Sequence, residues 1–97
     1  INKNISYKTQ QKFPDCKDKR ELPFDFWIPN MNTLIEYDGE QHYKEIDHGP
    51  FKGTYKGIQR RDNIKNKFCI EAEITLLRIR WDQNINEELT MFFDAFQ

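Results

Sequence analysis

A mixed α/β domain is what three patterns in this chain predict. The first is a run of short alternating or apolar stretches ending at Asp38. The second is an amphipathic helical stretch behind a glycine-bearing segment, and the third is the strongly apolar run ITLLRIRW that follows it. In order they read β-β-β-α-β-α. That order predicts a three-stranded antiparallel meander, a helical crossover and a fourth strand, giving a mixed central sheet flanked by helices.

Residues 5–13 (ISYKTQQKF) alternate loosely and read as the first strand. Residues 14–21 (PDCKDKRE) carry a proline and many charges and read as a polar loop. Residues 22–28 (LPFDFWI) are the second strand, Pro29-Asn30-Met31-Asn32 a tight connection, and residues 33–38 (TLIEYD) the third strand, which Gly39 ends. Residues 40–57 hold Gly49, Pro50, Gly53 and Gly57 and read as a long functional loop. Over residues 58–73, Ile64, Phe68 and Ala72 recur at helical spacing and form an apolar stripe. Residues 74–81 are expected to form a central strand. Either Asn84 or Asn86 caps a last helix, whose buried side is Leu89, Phe92, Phe93 and Phe96.

With 97 residues the chain is one domain with one modest core. Its 32% charged and 37% hydrophobic residues suit a globular fold. No apolar run approaches the roughly 18–20 residues of a membrane-spanning helix, and no segment has a signal-peptide layout. A net charge of −1 excludes a uniformly basic, nucleic-acid-coating surface. The distribution is more telling. Lys52, Lys56, Arg60, Arg61, Lys65 and Lys67 are interrupted by Asp62 alone, while the chain from Asp82 onward carries acids and no base. One basic face suited to phosphate and an acidic far end follow from this. Cys16 and Cys69 have no metal-binding spacing and read as free thiols of a reducing cytoplasm, with a disulfide between them left open. The opening directly into a strand suggests a piece of a longer protein that carries an upstream helix.

Carboxylates in apolar strands are the chemical signal. Glu36 and Asp38 share one face of the third strand with Leu34. Asp25 lies between Phe24 and Phe26, which places its carboxylate on the face away from both rings. A hairpin through residues 29–32 then brings the three acids to one patch, where they raise one another's pKa unless a cation neutralises them. The reading is a divalent-metal site with Asp25 and Glu36 as ligands and Asp38 as a third oxygen ligand or an outer partner. His42 is placed to act as general base or acid, and Gln41 to orient water or phosphate. Lys65, Arg60 and Arg61 are candidates to contact phosphate. The plainer readings are a half-wet strand for the acids, an ordinary turn histidine for His42, a solvated His48, and a surface ion pair between Asp62 and Lys65.

The combination FDF, IEYDGEQH, RDNIK and LLRI, running over about residues 5–81, resembles the very-short-patch-repair (Vsr) branch of the PD-(D/E)xK nucleases. In particular it resembles the phage homing-endonuclease catalytic domains described by an EDxHD motif. The resemblance implies a mixed sheet with flanking helices and metal-dependent DNA cleavage. It implies that Asp25 is the metal-binding aspartate, that Glu36 stands at the second acidic position, and that His42 is the branch histidine. Asp38 stands where the superfamily carries a lysine, so His42 or Lys65 must supply that function. The final aspartate of the motif is Asp38, Asp62 or Asp47. The upstream glutamate of the family has no counterpart here, and neither does the structural zinc set of the repair enzymes.

Together these readings predict a Mg²⁺-dependent DNA endonuclease domain, with Mn²⁺ as a substitute metal, from a phage or mobile element acting in a bacterial cytoplasm. Its partner is double-stranded DNA, held by Lys52, Lys56, Arg60, Arg61, Lys65 and Lys67, with a homodimer left open. The rivals are a mismatch-nicking repair endonuclease and a non-catalytic nucleic-acid-binding module on the same fold. A weaker rival is an RNA or single-strand nuclease using Tyr37, Tyr43 and Tyr55 as stacking groups.

Overall fold

The computed structural model describes residues 5–44 and 53–96. The elements come in the predicted order: β1 (Lys8–Gln11), β2 (Phe24–Ile28), β3 (Thr33–Asp38), α1 (Tyr55–Ala72), β4 (Thr75–Arg80) and α2 (Ile85–Phe96). Short 3-10 turns occupy Pro29–Met31 and Glu40–His42. The four strands form one sheet in the order β1-β2-β3-β4. The first two pairings are antiparallel and β3–β4 is parallel, so the sheet is mixed.

The β2–β3 turn follows from its residues. Proline presets the first backbone angle of the turn. Asn32 then takes a left-handed conformation with φ 49° and ψ 46°, which asparagine tolerates better than most residues. The Asn32 side chain also donates to the Glu73 carbonyl at 2.8 Å. Glu73 is itself left-handed and caps α1, its N–H reaching the Cys69 and Ile70 carbonyls. The hairpin tip and the end of α1 are thereby tied together. At the other helix, the Asn84 side chain accepts the Glu87 N–H at 3.0 Å, which makes Asn84 rather than Asn86 the cap of α2.

Two buried clusters lie on opposite faces of the sheet. Cys16, Leu22, Phe24, Leu34 and Cys69 form the first, with Ile64 and Phe68 of α1 packed against it. Ile28, Ile35, Ile79 and Leu89 form the second, joined by Phe26, Leu77 and Phe93. Leu34 and Ile35 are consecutive in β3 and point to opposite faces, so α1 and α2 cover opposite sides. Phe24 and Leu34 are fully buried, each contributing on the order of 2 kcal/mol by removal from water.

Several expectations need correction. β4 lies at a sheet edge rather than in the centre. Its apolar character serves two covered faces, with Leu76 against the first cluster and Leu77 and Ile79 in the second. Helix α1 starts at Tyr55, one turn before Ile58, so Lys56 and Gly57 belong to it and not to the loop. Its buried stripe runs through Cys69, while Ala72 is exposed. Phe24 and Phe26 fall in different clusters, so simple alternation fails around Asp25. Both cysteines are free, buried thiols. Asp47, His48, Gly49, Pro50, Lys52 and the side chain of Phe96 lie outside the described residues.

Candidate active site

The site begins where the sheet splits. β2 and β3 pair from Ile28↔Thr33 to Phe26↔Ile35, and continuing that register would set Asp25 opposite Glu36. Two acids directly opposite each other destabilise a regular ladder, and here the backbone ladder stops. The Asp25 N–H donates to Glu36 Oε1 at 3.0 Å, and the Tyr37 N–H donates to Asp25 Oδ2 at 2.7 Å. Each carboxylate thus takes the place of a backbone acceptor on the facing strand. β2 remains with β1 as far as Gln11↔Phe24, and β3 remains with β4 as far as Asp38↔Arg80. The result is a fork in the sheet whose prongs carry Asp25 and Glu36. Opposite Asp25, Gln10 of β1 adopts φ 51°, an uncommon angle for a residue with a side chain. Its amide stands 3.5 Å from Asp25 Oδ1.

Glu36 is 4% exposed. Its Oε2 accepts from Lys65 Nζ at 2.8 Å, and that ammonium also sits over the Phe24 ring. Burial lifts the Glu36 carboxyl above its ordinary range, outweighing the pull of Lys65; the neighbouring Asp25 charge pushes it the same way. Below this pair, burial also raises the Cys69 thiol to about 11, with the Cys16 thiol adding to the rise. Neither thiol is a nucleophile in this setting.

Asp38, two residues along the same face of β3, belongs to a different group. Arg78 Nη1 contacts its two oxygens at 3.0 and 2.9 Å. His42, on the turn after β3, places Nδ1 at 2.8 Å from Asp62 Oδ2 and at 3.6 Å from Asp38 Oδ1. The Tyr43 hydroxyl reaches Asp38 Oδ2 at 3.4 Å. Donation to the Asp62 carboxylate requires the His42 proton on Nδ1, which leaves Nε2 as the basic nitrogen of the ring. Among the described residues, the acidic and histidine atoms that lie within 4.8 Å of one another in a group of three belong to Asp38, His42 and Asp62. Arg78 already covers Asp38 and approaches Asp62 Oδ1 at 3.7 Å, so a cation entering there meets a fixed positive charge.

The three acids therefore do not gather as one set. Glu36 leans to the β2 side and Asp38 to the β4 side, each toward its own partner. Asp62 and Lys65 do not serve each other as a surface ion pair. They sit one turn apart on the face of α1 turned to the sheet, where Asp62 meets His42 and Lys65 meets Glu36. Of the two of Asp38, Asp47 and Asp62 that lie within the described residues, Asp62 is the one hydrogen-bonded to His42.

The basic residues of α1 divide between two faces, because about 3.6 residues make a turn. Lys56, Arg60 and Lys67 point outward and are exposed, with Arg60 bonded to Asp18. Arg61 and Lys65 lie on the other side and line a cleft of about 510 Å³ with Gln41, His42 and Asp62. A second cleft, of about 220 Å³, is lined by Asp38, Tyr43, Asn66 and Arg78 together with the same histidine and aspartate. The His42–Asp62 pair thus forms the wall between the two. Sequence reasoning passed over Arg78 and Gln10. An arginine between Leu77 and Ile79 in the apolar run LLRI was the signal for the first; nothing in the sequence marked the second.

No family model matches this chain, and no solved structure matches it. Among curated proteins it is 34% identical over 59 residues to "Uncharacterized protein 307L" of Invertebrate iridescent virus 6. That alignment covers 60% of this chain and 30% of the viral protein, so the match spans less than a third of that relative's length. Among the described residues no helix is long and apolar enough to cross a membrane.

Proposed function

We propose that this chain is the catalytic domain of a divalent-metal-dependent DNA endonuclease with a Vsr-like, PD-(D/E)xK-type core. The observation that carries the reading is the forked sheet, with Asp25 and Glu36 in the opening and a His42–Asp62 pair beside it. A regular core sheet has no use for two carboxylates that take over the backbone ladder, and a buried glutamate with a raised pKa is a site where added positive charge is welcome.

The donor set fits a hard cation. Asp25 and Glu36 offer carboxylate oxygens, and among the described residues Asp25 Oδ1 has only the long contact to Gln10. Mg²⁺, or Mn²⁺ in its place, would polarise a phosphodiester oxygen there. The chain's own groups supply the rest. Lys65 stands between Glu36 and the cleft, in reach of a phosphate that displaces it from the carboxylate. His42 presents Nε2 to accept a proton from water, and Asp62 holds the ring and stabilises the charge that forms. Arg61 and Gln41 line the same cleft and serve phosphate or water. The outer basic residues Lys56, Arg60 and Lys67 would meet the DNA backbone without reading sequence. The wider reading is a phage or mobile-element homing endonuclease acting on double-stranded DNA in a bacterial host.

The rival that finds some support is a non-catalytic module. Lys65 and Arg78 already compensate Glu36 and Asp38, and among the described residues no buried side-chain polar atom lacks a partner. One experiment separates the two. The full-length protein is incubated with plasmid DNA and Mg²⁺, with and without EDTA, beside Asp25→Ala. Scission that needs metal and falls at least about 10³-fold in the variant is expected. Equal outcomes for both proteins would end the endonuclease reading.

A further inference from the structure

We infer that Arg78 is a positioning residue that sets the His42 imidazole by clamping the two carboxylates that face it. This builds on the proposed role of His42, but the geometry stands by itself. From β4, Arg78 reaches three places at once. Nη1 meets both oxygens of Asp38 on β3, Nη2 meets the Asp62 carbonyl of α1 at 3.4 Å, and Nε meets Asn66 Oδ1 at 3.0 Å. A planar guanidinium with donors in a fixed fork does this; a lysine ammonium does not.

The need for such a clamp is electrostatic. Asp38 and Asp62 both approach His42 Nδ1, at 3.6 and 2.8 Å. Two carboxylates converging on one ring repel each other and compete for its proton. Arg78 engages both Asp38 oxygens and lies 3.7 Å from Asp62 Oδ1. Asp38 is thereby held back as a partner of arginine, and Asp62 is left as the acceptor of the His42 proton. The ring is fixed in one tautomer with its shared proton on Nδ1. Arg78 also joins β3, β4 and α1 at the point where His42 must be held. Nothing in this arrangement requires Arg78 to touch substrate.

The test reads His42 directly. In wild-type protein labelled with ¹⁵N, the Nδ1–H of His42 should appear as a slowly exchanging resonance that Asp62→Asn removes. Arg78→Lys keeps the charge but loses the fork. Asp38→Asn/Arg78→Gln removes both members of the buried pair together, so neither an unpaired charge nor a rival carboxylate is left behind. In Arg78→Lys the Nδ1–H resonance should be lost to exchange; in the double variant, where Asp62 has no charged competitor, it should survive. Cleavage of plasmid DNA by Arg78→Lys should drop about 10²-fold in kcat with KM changed by less than about threefold. Persistence of the protected Nδ1–H in Arg78→Lys, its loss in the double variant, or a cleavage defect confined to KM would overturn the assignment. If the wild-type protein cuts no DNA at all, the endonuclease reading fails while the resonance still decides the role of Arg78.

Discussion

Glu36 and Asp38 are neighbours on one face of one strand, yet the molecule treats them in opposite ways. Glu36 meets a backbone N–H and the flexible ammonium of Lys65, and burial leaves its carboxyl raised. Asp38 is 1% exposed and has both oxygens taken by one guanidinium. A lysine at the end of a four-carbon stem is able to give way to another cation or to a phosphate. A guanidinium locked to two elements is not. The fork at Asp25 and Glu36 is thus built to exchange partners, and the cluster at Asp38 is built to hold still. Equal chemistry in the sequence is paired with a movable cation in one case and a fixed one in the other.

His42→Ala gives the strongest test of this contrast. It removes the group proposed to handle the proton and leaves the fork untouched. Cleavage should fall between about 10² and 10⁴-fold, while Mg²⁺ should raise the melting temperature of the variant and of wild type by the same amount. Loss of the Mg²⁺ shift in this variant would show that the metal belongs with Asp38, His42 and Asp62 instead. Lys65→Ala comes next. It strands a buried carboxylate whose ion pair has side chains only 12% and 5% exposed, so unfolding free energy at neutral pH should drop by about 3 kcal/mol. Millimolar Mg²⁺ should restore part of it, and urea titrations with and without the metal would measure both.

Glu36→Gln gives the smallest and subtlest effect. The folded-state pKa of Glu36 lies above its ordinary value of 4.5, chiefly through burial. The native state therefore binds this proton more tightly than the unfolded chain. Stability from this group is present at low pH, lost as pH rises from the unfolded value through the folded one, and absent above it. Glutamine carries no such loss. Melting curves should show the variant gaining on wild type as pH rises through that window, with Mg²⁺ closing the gap by stabilising wild type alone. A gap independent of pH would mean that Lys65 fully compensates the carboxylate.

Much of the architecture was legible in local pattern. Alternation in TLIEYD, the proline and asparagine of the 29–32 turn, and helical spacing at Ile64 and Phe68 each specify an element, because short-range sterics and burial decide them. The odd residues stood out for the same reason: Asp25, Glu36 and Asp38 are costly inside apolar strands, and His42 follows on the next turn. Their grouping was not legible. Alternation placed Asp25 away from both flanking rings, but the ladder opens there and Phe24 and Phe26 part company. ITLLRIRW looked like a central strand because an edge strand covered on both faces by helices has the same composition. The charge run on α1 looked like one face because linear proximity ignores the helical turn that sends Arg61 and Lys65 inward.

Secondary structure and the stock of reactive groups are thus written in the order of the residues, since each depends on neighbours a few positions away. Which carboxylate meets the histidine, which is held by arginine, and which stands open in the split sheet depend on contacts between β2, β3, β4 and α1. Those partners lie far apart in the chain, and charges at close range are sorted by distance in space. Only the packed fold sets those distances.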